Sequence, residues 1–126
     1  MSDVVYDAGV LVAAERNDRG VWLDHRARLE LGSIAVAPAV VVAQVSRSPR
    51  QVQLRRLLQG CDVTHLTEDV AHRVGQLIGQ AGTSDIADGA VVAEAVSRSA
   101  PIVTGDRKHI ARLLEAAGAD LPIIDV

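Results

Sequence analysis

Five short apolar runs, separated by longer stretches of helical composition, set the tightest limit on what this chain can fold into. They are "DVVY" at 3–6, "SIAVAP" at 33–38, "CDVTHL" at 61–66, "PIVTGD" at 101–106 and "PIIDV" at 122–126. Strands this short and apolar are buried on both faces, and their alternation with helices implies a parallel sheet covered on both sides. The 126 residues suffice for one core, so the expectation is a single α/β domain over 1–126.

The segments between the runs carry helix signals of their own. Residues 19–31 set Val21, Leu23, Leu29 and Leu31 among charges, an amphipathic spacing. Pro38 ends the second run and suits the first turn of a helix reading "PAVVVAQVSR". Pro49 breaks that helix or opens the next, "PRQVQLRRLLQG", which Gly60 stops. Thr67, followed by Glu68 and Asp69, is a strong helix start. Further helices are expected over "SDIADGAVVAEAVSRSA", with Thr83 or Ser84 as its cap, and over "RKHIARLLEAAG".

Composition narrows the setting. Hydrophobic residues make up 48% of the chain, but there is no Phe, one Trp (Trp22) and one Tyr (Tyr6), so the core must be aliphatic. No window approaches the roughly 18–20 uninterrupted apolar residues of a membrane span. "MSDVVYDAG" lacks the basic start and apolar stretch of a signal peptide. A lone Cys61 excludes an internal disulfide framework. A cytoplasmic protein of bacterial type is the plain expectation. The net charge of −3 gives no general electrostatic case for nucleic acid, although "SRSPRQVQLRR" gathers Arg47, Arg50, Arg55 and Arg56 with no acid among them. Such a stretch is ordinarily a solvated helix face. The histidines, His25, His65, His72 and His109, show no ligand spacing, and His65 is expected in the core or at its rim.

Functional groups of open α/β sheets gather beyond the carboxyl ends of the strands. That rule singles out Asp7 after the first run and Asp106 after the fourth, with Asp88 and Asp85 at the start of a helix nearby. Glu15, Asp24, Glu30 and Glu115 are expected on helix surfaces instead. An oxygen-rich cluster suits Mg²⁺ or Mn²⁺, and an ion so held can activate water and offset phosphodiester charge. Each acid also has a bland explanation, because a carboxylate at a helix N-terminus stabilises by about 0.3–1 kcal/mol unaided. Spacing alone leaves both readings open.

"VVYDAGVLVAAE", "VAPAVVVAQVSR" and "DIADGAVVAEAVSRSAPIVTGDRKHI" together resemble the PIN-domain family, specifically the VapC-like toxins of VapBC toxin–antitoxin pairs. The resemblance runs nearly end to end. It implies a three-layer α/β/α sandwich with a five-stranded parallel sheet. It also implies a Mg²⁺- or Mn²⁺-dependent endoribonuclease, usually a homodimer, neutralised by a cognate antitoxin. Under it Asp7, Asp88 and Asp106 fall on metal-binding acids, and Thr104 on a small hydroxyl position that bonds the cluster or its water.

One position departs from the family pattern. Gln44 stands in "PAVVVAQ" where the family has Glu, offering a carbonyl oxygen without a charge. Asp85, three residues before Asp88, is the natural compensator. Arg47, three after Gln44, is the expected RNA-phosphate ligand if both share a helix face, with Arg107 a lesser candidate. The competing expectation is a PIN-fold module with weakened catalysis that mainly binds antitoxin or RNA. A phosphoacceptor receiver domain also has acids at strand ends, but it needs an Asp ending a central strand and a Lys near the last; "CDVTHL" ends without an acid and the only Lys, Lys108, lies in a helix pattern. Dimerisation through Val21, Trp22 and Leu23 or Leu54, Leu57 and Leu58 competes with burial of those residues in the core.

Overall fold

The computed structural model describes residues 3–126; the first two residues, and with them the opening of the stretch read for a signal peptide, lie outside these. Strands β1 (Val4–Tyr6), β2 (Ala35–Pro38), β3 (Cys61–Thr64), β4 (Ile102–Thr104) and β5 (Ile123–Asp125) form one sheet. The helices are α1 (Ala8–Glu15), α2 (Arg19–Glu30), α3 (Ala39–Val45), α4 (Val52–Gln59), α5 (Glu68–Ala81), α6 (Ile86–Arg98) and α7 (Arg107–Ala116). The strand order is β3-β2-β1-β4-β5, and every pairing is parallel. The chain winds from β1 outward to β3, then returns to the other side of β1. Right-handed crossovers in opposite directions place α1–α4 on one face and α5–α7 on the other.

Burial explains why this sheet forms. Val5, Tyr6, Val36, Ile102 and Val103 expose no surface at all. Burying each aliphatic side chain contributes about 1.5–3 kcal/mol, against about 1 kcal/mol for a helix cap. The sheet core therefore decides the fold, and the caps only set element ends. Val21, Leu54 and Leu57, half of the apolar residues considered for dimerisation, belong to that core, and Trp22 and Leu58 pack against it partly buried. Leu23 is about half exposed.

Four local expectations are corrected. Helix α3 stops at Val45 instead of running on through Arg47. The Gln51 side chain ends it, accepting from Arg47 N (2.7 Å) and Ser48 N (3.2 Å) and donating to Val45 O (3.1 Å). The cap of α6 is Asp85, not Thr83 or Ser84: its Oδ1 accepts from Asp88 N at 3.0 Å. Strand β3 ends at Thr64, which leaves His65 and Leu66 exposed. Glu15, expected on a surface, has its Oε1 buried without a hydrogen-bond partner.

Behind β1 lies one buried polar group. Arg28 Nη1 donates to Tyr6 Oη (3.2 Å), and the Tyr6 hydroxyl is hydrogen-bonded to His25 Nδ1 (2.8 Å). Burial, reinforced by the Arg28 charge, lowers the His25 pKa from its ordinary 6.5. Among the described residues no helix is long and apolar enough to cross a membrane.

Candidate metal centre

The direction of chain winding reverses between β1 and β4, and in open α/β sheets the crevice beyond such a switch point is where ligands bind. Asp7 follows β1 there and is the N-cap of α1, its Oδ1 accepting from Gly9 N (2.8 Å) and Val10 N (3.3 Å). Thr104 ends β4 opposite, and its hydroxyl donates to Asp7 Oδ2. Gly105 N adds contacts of 3.2 and 3.3 Å to the same carboxylate. Such crowding requires glycine: a Cβ on Gly9 would lie 2.9 Å from the Gly105 backbone. Asp7 is only 3% exposed, and burial outweighs its hydrogen bonds, so its pKa is raised.

Asp88 comes from the opposite layer, in the first turn of α6, a helix that packs on β1, β2 and β4. Its Oδ2 lies 2.6 Å from His109 Nδ1 on α7. Burial raises its pKa most; the His109 hydrogen bond opposes this, and the charges of Asp85 and Asp7 add to it. The carboxylates of Asp7 and Asp88 thus share one electrostatic field. Asp106 is exposed and caps α7, with Oδ1 accepting from His109 N (3.3 Å) while its own N–H donates to Thr104 Oγ1 (2.8 Å). Hydrogen bonds therefore run without a break from Asp7 through Thr104, Asp106 and His109 to Asp88 and Asp85.

Among the described residues, Asp85, Asp88 and His109 offer ligand atoms within 4.8 Å of one another. Asp7 and Asp106 stand outside that closest group. Partly desolvated carboxylates that repel one another are a donor set suited to a hard divalent cation, which removes the repulsion. On this chemistry the acids fit a divalent cation. A groove of about 450 Å³ lies beside the start of α1, lined by Ala8, Gly9, Arg16 and Gly105 among others, and none of Asp7, Asp85, Asp88 and Asp106 lines it.

The remaining candidates are placed less directly. Gln44 is exposed on α3, which packs against both α1 and α6, the helices beginning at Asp7 and Asp85. Arg47 lies beyond the end of α3, so it does not share a helix face with Gln44; its Nη1 donates to Ser46 O (2.8 Å) and Ala43 O (3.4 Å). Arg107 is paired with Asp125 at 2.9 Å. His109 was not singled out by spacing, because its partner Asp88 is 21 positions away. Its one sequence signal is its place in the first turn of the helix that Asp106 caps.

No protein-family model matches this sequence, and no curated protein matches it. Solved structures do. A chain of VapBC2 from Rickettsia felis, bound to a DNA fragment from their promoter, matches with a TM-score of 0.72 at 15% identity, covering 98% of each chain. A chain of FitAcB from Neisseria gonorrhoeae gives 0.62 at 16% identity over 96% of each chain. VapBC-5 from Mycobacterium tuberculosis, a member of the VapBC family of toxin–antitoxin systems, gives 0.57 at 21% identity over the whole of both chains. Identities this low show a shared fold, from end to end.

Proposed function

We propose that this chain is a divalent-metal-dependent endoribonuclease, the VapC-like toxin of a toxin–antitoxin pair. The observation that carries the reading is the placement of Asp7 and Thr104 across the β1–β4 switch point, with Asp88 in the same field. The likeness of fold to VapBC structures supports it. Asp7, Asp88 and Asp106 are the proposed metal ligands and catalytic acids, with Asp85 as a further ligand and Gln44 in support.

When bound, a Mg²⁺ or Mn²⁺ ion at such a site supplies a water of lowered pKa and offsets charge on a phosphodiester. The chain's own residues hold the acids in place. Thr104 and Gly105 hold the Asp7 carboxylate, the α6 N-terminus holds Asp85 and Asp88, and the Thr104 hydroxyl fixes the turn that carries Asp106. Arg47 would meet RNA phosphate only by releasing the carbonyls it now binds. By the same reading the partners are an RNA substrate, a cognate antitoxin and a second copy of the chain, in the cytoplasm.

RNA cleavage tests this directly. Asp7→Asn and Asp88→Asn should each lose activity by about 100-fold or more, since removing a supporting group alone costs a metal site 10–100-fold. Cleavage at the parent rate by both variants would overturn the reading. The exposed, uncharged Gln44 favours a second reading, a weakly catalytic module that mainly binds antitoxin or RNA. A large gain in metal-dependent cleavage by Gln44→Glu would support that one, and robust activity of the parent chain would dismiss it.

A further inference from the structure

Four groups at the junction of α6 and α7 close a ring of hydrogen bonds. Asp88 N donates to Asp85 Oδ1 (3.0 Å), and Asp85 N donates to Thr83 Oγ1 (3.3 Å). Thr83 Oγ1 lies 3.2 Å from His109 Nε2, and His109 Nδ1 lies 2.6 Å from Asp88 Oδ2. A bare Nδ1 would set its lone pair against a carboxylate, so Nδ1 carries a proton directed at Asp88. The imidazole and the carboxylate are 19% and 14% exposed, dry enough for that bond to fix both side chains. The same residue's backbone N–H meets Asp106 Oδ1 at 3.3 Å. One residue of α7 thus touches the acids of two helices.

We propose that His109 is a positioning residue for the cation site: its Nδ1–H holds Oδ2 of Asp88, leaving Oδ1 for a divalent ion, while its backbone fixes Asp106 at the neighbouring helix start. This rests on the metal-site reading above. It assigns His109 a role outside the ligand set. Imidazole nitrogen suits zinc, copper, iron or nickel, whereas an all-oxygen set suits magnesium and manganese. A histidine turned to hold a carboxylate keeps the site oxygen-only, and groups that orient ligands in this way tune metal affinity without touching the ion.

The test is Mn²⁺ titration of the full chain, followed by the electron paramagnetic resonance of free Mn²⁺, with circular dichroism confirming that each variant is folded. His109→Ala should weaken Mn²⁺ binding by about 10–100-fold, and His109→Asn should return it to within about threefold of the parent. The Asn Nδ2–H reproduces the position of Nδ1–H. His109→Gln, whose amide reaches the Nε2 position, should not rescue. Pulsed spectra of the parent complex should show no directly coordinated imidazole nitrogen. Unchanged affinity in His109→Ala, rescue by Gln and not Asn, or a coordinated histidine nitrogen would each overturn the proposal. Asp88→Asn separates the two levels. If Asp88→Asn loses Mn²⁺ and His109→Ala does not, positioning alone fails; if Asp88→Asn binds like the parent, or the parent binds no Mn²⁺, the metal-site reading fails and takes this inference with it.

Discussion

Thr104 and Asp7, 97 positions apart in sequence, are joined by a buried hydrogen bond from the threonine hydroxyl to the aspartate carboxylate. The bond links the carboxyl ends of β1 and β4, and the same oxygen accepts from Asp106 N. Thr104→Val removes both contacts and leaves a buried carboxylate and an N–H short of partners. The expected loss is about 1–3 kcal/mol by urea unfolding. Thr104→Ser, which keeps the hydroxyl and sheds one methyl, should lose less than Val; the opposite order would show that packing, and not the bond, matters here.

Asp88 carries a stability cost of its own. Burial raises its pKa above 3.8, so between that value and the raised one the native state binds more protons than the unfolded chain. Stability therefore falls as pH climbs through that window, and the penalty is fully present above the raised value. In EDTA at pH 7, Asp88→Asn should melt at a higher Tm than the parent. Added Mn²⁺ should raise the Tm of the parent and leave the variant unmoved. A lower Tm for the variant in EDTA would contradict this account.

Gly89 sits where α6 meets α5, and a Cβ there would lie 2.6 Å from Ile78 Cγ2 and 3.1 Å from Val74 Cγ1. Gly→Ala in a helix interior normally gains about 0.5–1 kcal/mol. Overpacking costs about 1–3 kcal/mol, so Gly89→Ala should be net destabilising in chemical denaturation. Adding Ile78→Ala should recover part of the loss. Stabilisation by the single variant would mean that the α5–α6 contact yields freely.

The Cys61 thiol, which donates to Leu57 O at 3.3 Å, is pushed by burial from 9.0 up to about 12. At pH 8 its thiolate fraction is then about a thousandfold lower than that of an unshifted thiol. Disulfide-exchange reagents should label the native protein slower than the denatured one by about that factor. Comparable rates in the two states would rule out burial of the thiol.

His25 makes stability depend on pH in the opposite sense to Asp88. With its folded pKa below the ordinary 6.5, the unfolded chain takes up the proton first as pH drops. Its contribution is complete above about 6.5 and is lost as pH falls toward the lowered value. Urea midpoints between pH 7.5 and 5 should decline for the parent and decline less for His25→Asn, which keeps a hydrogen-bond partner for the Tyr6 hydroxyl.

Most of the sheet was legible because its signal is local. A three- or four-residue apolar run flanked by helix starts, such as "AVAP" or "IVT", needs no distant partner to be recognised. Thr67 and Gly60 act as helix punctuation where the sequence places them. The end of α3 was not legible, because a Gln51 side chain six residues beyond Val45 supplies the bonds that stop it. Nor was the pairing of His109 with Asp88, which exists only once α6 and α7 have packed against each other. Acids at strand ends can be read from composition and order. How they are held is tertiary.

Asp7, Asp85 and Asp106 each cap a helix with one carboxylate oxygen. An asparagine caps about as well as an aspartate. At Asp85 and Asp106, exchanging one oxygen for nitrogen keeps the cap and withdraws charge from the cleft, whereas at Asp7 the new amide would face the donating Gly105 N–H. Charge at those two caps can thus be removed one atom at a time, with little penalty in folding to slow it. Gln44 is a difference of that size.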